Sequence, residues 1–347
     1  MYNTKNPHGG DGALAGCRLD FSANVNPLGL PPAVAAAARE AIEAADRYPD
    51  PSCRALVEAI AEKENVPPSF ILCGNGAAEL IYAWCAAAGI RKAVELAPGF
   101  CEYSAALQLH GCKVERFVLS RERAFLPGKS LTAFLREQSP EAVVLCNPNN
   151  PTGREMPPEL LEEIFSLCSE TGIRLFLDEC FLDLSDNRYT LASRLEAYPG
   201  LFLLRAFTKS YGMAGLRLGW CLSADRQLLS GIAVRTPPWN VSSVAQAAGL
   251  AALREKDFLE RTRRLIQRER PRLREALMAL GLWVCPSEAN FLLFSGPAGL
   301  EVRLREHSGI AIRSCANFPG LGPGWYRVGV RKPEENQVLI AAIGEVL

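Results

Sequence analysis

Lys209 lies in "FTKSYGMAGLRLGW" (207–220), a stretch whose composition does not suit an ordinary surface lysine. It follows the apolar run "LFLLRAF" (201–207) and precedes a loop broken by Gly212, Gly215 and Gly219, with Arg217 eight residues on. Desolvating an ammonium costs free energy, so a flexible amine set here beside a fixed cation calls for a chemical purpose. Two more polar groups stand where apolar runs stop. Asp178 closes "RLFLD", and the turn "NPNNPTG" (147–153) closes "VVLC". Taken singly, each is ordinarily a cap, a turn or a solvated charge; it is their shared position at run ends that carries the reading.

The elements that must position them are well punctuated. "ELIYAWCAAAG" (79–89) reads as a helix ending on Gly89, and "KAVELAP" (92–98) as a strand stopped by proline. "KVERFVL" (113–119), "EAVVLCNP" (141–148), "IRLFLDE" (173–179) and "LFLLRAF" read as strands, and "PELLEEIFSLCSETG" (158–172) as a helix. Continuous apolar runs suit strands covered on both faces, so the pattern predicts an α/β fold with a mostly parallel sheet. In such sheets ligands bind outside the carboxyl ends of the strands, which gathers the three run ends at one crevice. After Pro237–Pro238 come a charge-rich helix (257–280) carrying Pro271, the short strands "ANFLLF", "GIAIRS" and "WYRVGV", and a helix from Pro333. The expected division is an N-terminal arm (1–30), a large domain (31–237) and a smaller α+β domain (238–347). The helix "PAVAAAAREAIEAAD" (32–46) suits packing with either domain.

A lysine, an aspartate and an arginine so arranged fit pyridoxal 5′-phosphate. The amine bonds to the aldehyde as a Schiff base, and the carboxylate keeps the pyridine nitrogen protonated, which makes the ring an electron sink. The phosphate needs cations and N–H donors. Arg217 offers a bidentate fork, Thr208 a hydroxyl, and "CGNGAAELIYAW" (73–84) a glycine-rich turn opening a helix.

Composition narrows the alternatives. Lys plus Arg and Asp plus Glu both number 38, so there is no cationic excess for nucleic acid or an anionic membrane. The 12 cysteines form no CxxC and only three histidines occur (His8, His110, His307), so no metal site is expected and the thiols read as reduced core residues. The N-terminal "MYNTKNPHGGDG" has no apolar run and no segment reaches the roughly 18 apolar residues of a membrane span, so a cytoplasmic protein is expected. A cofactor-sensing regulator would carry a DNA-binding module and a basic face, which this sequence lacks.

The motifs "NPNNPTG", "LDEC" and "TKSYGMAGLRLG", in that order, resemble the fold type I pyridoxal-phosphate enzymes of the aminotransferase-like branch. The resemblance implies Lys209 as Schiff-base former, Asp178 as partner of the ring nitrogen and Asn150 as partner of the ring hydroxyl. It gives the cofactor phosphate to Thr208, Arg217 and the main chain at Gly76 and Ala77, and puts Phe100 on the ring. It also implies a homodimer in which Tyr48 of "RYPD" reaches the neighbour's phosphate. "HGGDG…LDFSANVNPLGLP" (8–31) and "IRSCANFPGLGPGWYRVGVR" (312–331) look like the L-threonine-O-3-phosphate decarboxylases of cobamide biosynthesis, relatives of the histidinol-phosphate aminotransferases. That likeness runs over nearly the whole chain. It implies substrate contacts at His8, Gly9, Asn24 and Asn150, with Arg313 on the substrate phosphate and Arg327 on its carboxylate. The implied reaction gives (R)-1-aminopropan-2-ol O-phosphate and CO₂. Transamination of histidinol phosphate or a similar phosphorylated amine, and decarboxylation of phosphoserine, remain as alternatives. Two departures from the aminotransferases stand out. Phe181 replaces their ring-contacting tyrosine, and Ala77 and Ala78 stand where hydroxyl or acidic side chains are common.

Overall fold

In the computed structural model of the chain, residues 8–12 and 15–347 are described. A short strand, β1 (Leu19–Asp20), leads the chain in. The main sheet comprises β2 (Ile71–Gly74), β3 (Lys92–Ala97), β4 (Lys113–Val118), β5 (Ala142–Cys146), β6 (Arg174–Asp178), β7 (Leu201–Ala206) and β8 (Gly219–Leu222). Their order is β2-β8-β7-β6-β5-β3-β4, and only β8 runs against its neighbours. The mostly parallel sheet read from the sequence is present. Its central strands are buried along their whole length because helices cover both faces. Phe176, Phe202 and Leu204 pack with Leu80, Ile81 and Trp84 of the helix Ala77–Ala88. The alternate residues Leu175, Leu177, Leu201 and Leu203 pack the other way, with Leu160, Leu161 and Ile164 of the helix Pro158–Thr171.

The boundaries differ from the sequence reading in instructive ways. The strand expected over 201–207 stops at Ala206, and Phe207–Ser210 forms a single helical turn, so Lys209 rides on a turn. Phe207 explains the switch: it buries its ring against Trp220 and Tyr211 in the core. The expected helix at 79–89 starts two residues earlier, at Ala77, because Gly76 at φ 82 turns the chain directly into it. The helix read over 32–46 ends at Ile42, and "GIAIRS" splits into β11 (Ile310–Ala311) and β12 (Arg313–Ser314).

A second, antiparallel sheet has the order β12-β13-β10-β9, with β9 (Trp283–Val284), β10 (Phe291–Ser295) and β13 (Trp325–Gly329). β11 pairs instead with β1 in parallel, tying the N-terminal segment to the C-terminal part. The helix Ser243–Leu253 packs on Pro32–Ile42 and Arg54–Glu64, sharing one core through Val34, Leu56, Ala245 and Ala248. The helix Phe258–Ala279 continues through Pro271.

Asn26 locks the N-terminal segment to the turn carrying Lys209. It is fully buried, and its Nδ2 donates to the Ser210 carbonyl (2.7 Å) and the Thr262 hydroxyl (2.9 Å). Replacing Asn26 with Leu strands both acceptors in the interior. This is expected to destabilise the fold by roughly 3 kcal/mol in urea unfolding. An unchanged midpoint would show that the link contributes nothing.

Candidate active site

A cavity of about 260 Å³ opens where β5, β6 and β7 end, lined there by Cys146, Asp178 and Ala206. The small sheet closes its other side with Arg313 and Arg327, and the segment after β1 adds Asn24. Residues distant in sequence thus meet at the carboxyl edge of the sheet, where main-chain N–H groups and loops converge.

Lys209 lines the cavity with its Nζ 5.8 Å from the centre of the Phe181 ring. Burial, seconded by the positive charge of Arg327, pulls its amine down to about 8. An appreciable neutral fraction, the form that attacks a carbonyl, is therefore present at neutral pH. Asp178 falls on the same sheet face as Phe176. Its Oδ1 accepts the Cys180 N–H (2.8 Å) and its Oδ2 accepts the Tyr103 hydroxyl (2.6 Å). Burial pushes the Asp178 carboxyl up; the bonds from Cys180 and Tyr103 and the charge of Lys209 oppose that. A cation bound beside it would favour the ionised form. Tyr103 escaped the sequence reading. The available signal was its spacing of three from Phe100, whose ring it meets edge-on at 5.5 Å where the helix Glu102–Leu109 begins.

Arg217 and Thr208 line the cavity beside Ala77. Gly76 does not line it, but a Cβ at Gly76 would stand 2.5 Å from Arg217 Nη2, so the guanidinium lies against the mouth of the helix Ala77–Ala88. Among the described residues no side chain caps that helix, which leaves first-turn N–H groups for an anion. Arg217 itself sits in the left-handed region at φ 56, a conformation costly for a side chain and common at functional sites.

At the other end, Arg313 and Arg327 are direct partners in the β12–β13 ladder. Like charges set opposite one another on a sheet repel. Arg327 is buried and donates to Asn150 Oδ1 and to the Ser22 carbonyl (2.9 Å). Burial lowers its guanidinium to about 10. Arg313 lies 5.3 Å from the centre of the Phe318 ring and donates to Asn317 Oδ1 (2.8 Å). Asn24 is buried in the lining, and among the described residues neither of its amide atoms has a partner. An orphaned amide of this sort points to a ligand.

His8 reaches the cavity, its Nε2 2.8 Å from Glu102 Oε1 and its ring centre 5.6 Å from that of Phe100. Gly9 packs so closely on Ser22 that a Cβ would stand 2.5 Å from the Ser22 carbonyl oxygen. Among the described residues, His8, Cys101 and Glu102 bring ligand atoms within 4.8 Å of one another, a grouping their sequence spacing does not reveal. Tyr48 stays outside: it is 79% exposed and stacks on Trp239 at 4.4 Å. Phe181 meets Phe291 edge-on and offers the cavity no hydroxyl.

These groups fit pyridoxal phosphate: a depressed amine, a buried carboxylate, an uncapped helix mouth beside an arginine, and an unpartnered Asn24. Tyr103→Phe removes a donor from Asp178 and raises that carboxyl further. It is expected to weaken cofactor binding to the apoprotein roughly tenfold in a fluorescence titration, in line with one hydrogen bond to a charged group. Arg327→Met removes a cation and so raises the Lys209 amine above about 8. Capture of the cofactor, followed at the wavelength of its lysine adduct, should then be slower at pH 7.5. An equal or faster rate would contradict the electrostatic account.

A model of the family described as aminotransferase class I and II matches residues 18–343. The threonine-phosphate decarboxylase of Salmonella typhimurium is 38% identical over 336 residues, spanning 95% of this chain and 91% of that protein. The histidinol-phosphate aminotransferase of Symbiobacterium thermophilum is 33% identical over 336 residues, spanning 94% and 91%. The crystal structure of histidinol-phosphate aminotransferase from Sinorhizobium meliloti, in complex with pyridoxal-5′-phosphate, superposes with a TM-score of 0.85 at 25% identity, covering 96% of this chain and 92% of that one. The chain belongs to the aminotransferase class I and II family and is a pyridoxal-phosphate-dependent enzyme.

Proposed function

We propose that the enzyme decarboxylates L-threonine O-3-phosphate, giving (R)-1-aminopropan-2-ol O-phosphate and CO₂. The observation that carries this reading is the facing pair Arg313 and Arg327 with the unpartnered Asn24 in one cavity. A substrate with a phosphate and a carboxylate needs two separate anion clamps, and a bound dianion relieves the repulsion between them. The 38% identity to a threonine-phosphate decarboxylase supports the same assignment.

Bound pyridoxal phosphate supplies an electron sink for a bond broken at the substrate's α-carbon. Lys209 would hold the cofactor aldehyde, and Asp178, oriented by Tyr103, would keep the proton on the ring nitrogen. Asn150 would bond the ring hydroxyl and Phe100 would cover the ring. Thr208, Arg217 and the main chain of Gly76 and Ala77 would hold the cofactor phosphate. Arg327 and Asn24 fix the carboxylate so that its bond to the α-carbon is the one that breaks, and Arg313, His8 and Gly9 hold the substrate phosphate. Once the substrate amine has displaced it from the aldehyde, Lys209, or an acid near it, would return a proton to the α-carbon. Tyr48 completes the partner's phosphate site in a homodimer; its exposed stack with Trp239 supplies an aromatic surface for that contact. The working division into arm, large and small domains is 1–30, 31–237 and 238–347. We assign the enzyme to the cytoplasm; among the described residues no helix is long and apolar enough to cross a membrane.

A second reading, transamination of histidinol phosphate, draws on the 33% identity to a histidinol-phosphate aminotransferase. The two reactions differ in which α-carbon bond the anion clamps would present for cleavage. Phosphothreonine incubated with holoenzyme and no keto acid should release CO₂ and aminopropanol phosphate in equal amounts. Absence of CO₂, with 2-oxoglutarate converted to glutamate when histidinol phosphate is the amine donor, would overturn the assignment. Phosphoserine, one methyl smaller, should be the poorer substrate by roughly tenfold or more, the discrimination a methyl provides in a pocket. Arg313→Leu should raise KM for phosphothreonine about thirtyfold, the scale of a lost charged hydrogen bond, without weakening cofactor binding.

A further inference from the structure

The two strand ends that bear Asp178 and the Lys209 turn are also joined on the face of the sheet turned away from the cavity. Alternation along β6 and β7 puts Asp178 and Ala206 on the cavity side and Glu179 and Arg205 on the other. Both are buried, Glu179 at 1% exposure and Arg205 at 5%. Arg205 Nε donates to Glu179 Oε2 (2.9 Å), and its Nη2 lies 3.5 Å from Glu64 Oε2. Thr190 closes the group: its hydroxyl donates to Glu179 Oε2 (3.0 Å) and accepts from Arg205 Nη2 (3.1 Å). Beyond it, Lys63 pairs with Asp183 (3.2 Å) and faces the rings of Trp220 and Tyr211.

We propose that Glu179 and Arg205 act as a clamp that fixes, from behind the sheet, the gap between Asp178 and Lys209. The main chain carries the effect in both directions. The Glu179 N–H donates to the Leu204 carbonyl (2.9 Å), continuing the ladder past Asp178. The Arg205 carbonyl oxygen lies 3.0 Å from where a Cβ of Gly219 would stand, and the same point is 2.7 Å from the Ala77 amide nitrogen. The backbone of Arg205 therefore abuts the helix mouth beside Arg217. A buried ion pair is weak evidence for stability, because apolar replacements serve as well or better. What a fixed pair supplies is geometry, and here it joins the two strands whose spacing the cofactor must span.

The group is not fully satisfied: among the described residues, Glu179 Oε1 and Glu64 Oε1 are buried without partners. Burial, with Arg205 opposing, pushes the Glu179 carboxyl up to about 7, so Glu179→Gln imitates a form populated near neutrality. Arg205 stays charged, facing Glu179, Glu64 and Asp183.

The inference rests on cofactor binding and is independent of which substrate is used. Its test compares Glu179→Gln with the wild type in three measurements. These are the dissociation constant of pyridoxal phosphate from the apoprotein, the pH titration of the lysine–cofactor chromophore in the holoenzyme, and the thermal midpoint of the apoprotein. The expected result is cofactor affinity reduced about tenfold, the scale of one lost charged interaction, together with a displaced chromophore titration. Glu179→Asp, which keeps the charge, should recover part of both. A lowered midpoint with affinity and titration unchanged would overturn the proposal and leave the pair as structural only. Should Glu179→Gln fail to fold, Thr190→Val removes the bridging hydroxyl alone. It should move affinity and titration the same way by a smaller factor, and no movement in either would overturn the proposal.

Discussion

A half-buried amine and a buried carboxylate are held at the ends of adjacent strands, and the rest of the structure depends on making that arrangement tolerable. Among the described residues, neither charge is neutralised by a close ion pair. Asp178 is kept in place by two neutral donors, the Tyr103 hydroxyl and the Cys180 amide, and Lys209 carries the added repulsion of Arg327. Each is therefore displaced from its solution behaviour in the direction useful to the cofactor. The lysine leans towards the free amine, and the carboxylate is in want of a cation.

The scaffold answers this with rigidity on every side. Both faces of the sheet are packed, so the strand ends have little freedom to drift. Asn26 ties the N-terminal segment to the Lys209 turn, and β1 pairs with β11, which brings that segment, the C-terminal part of the chain and the cavity into one contact network. Arg327 joins the same network through the Ser22 carbonyl and Asn150. An anion bound at Arg327 would offset the charge that now holds the Lys209 amine down.

Much of this was legible in the sequence, for identifiable reasons. Strands buried on both faces leave continuous apolar runs, and proline or glycine marks their ends, so "AVVLC" and "RLFLD" were recognised with errors of a residue or two. Lys209 and Asp178 were visible because a charge at the end of such a run is costly. Two features were hidden by long-range packing, and a third left a trace in the sequence. Tyr103 becomes a partner of Asp178 only when the helix Glu102–Leu109 docks beside the strand end. The pairing of β1 with β11 joins opposite ends of the chain, and nothing in either two-residue strand announces it. Glu179 and Arg205 gave a signal that went unread: an arginine inside "LFLLRAF" is as expensive as the lysine just after it, and it too needs a partner.

The most direct measurement is to reduce the holoenzyme with borohydride, digest it and locate the pyridoxyl group by mass spectrometry. The account predicts a single modified peptide bearing the adduct on Lys209. An adduct on another lysine, or none at all in a fully loaded and folded preparation, would contradict it.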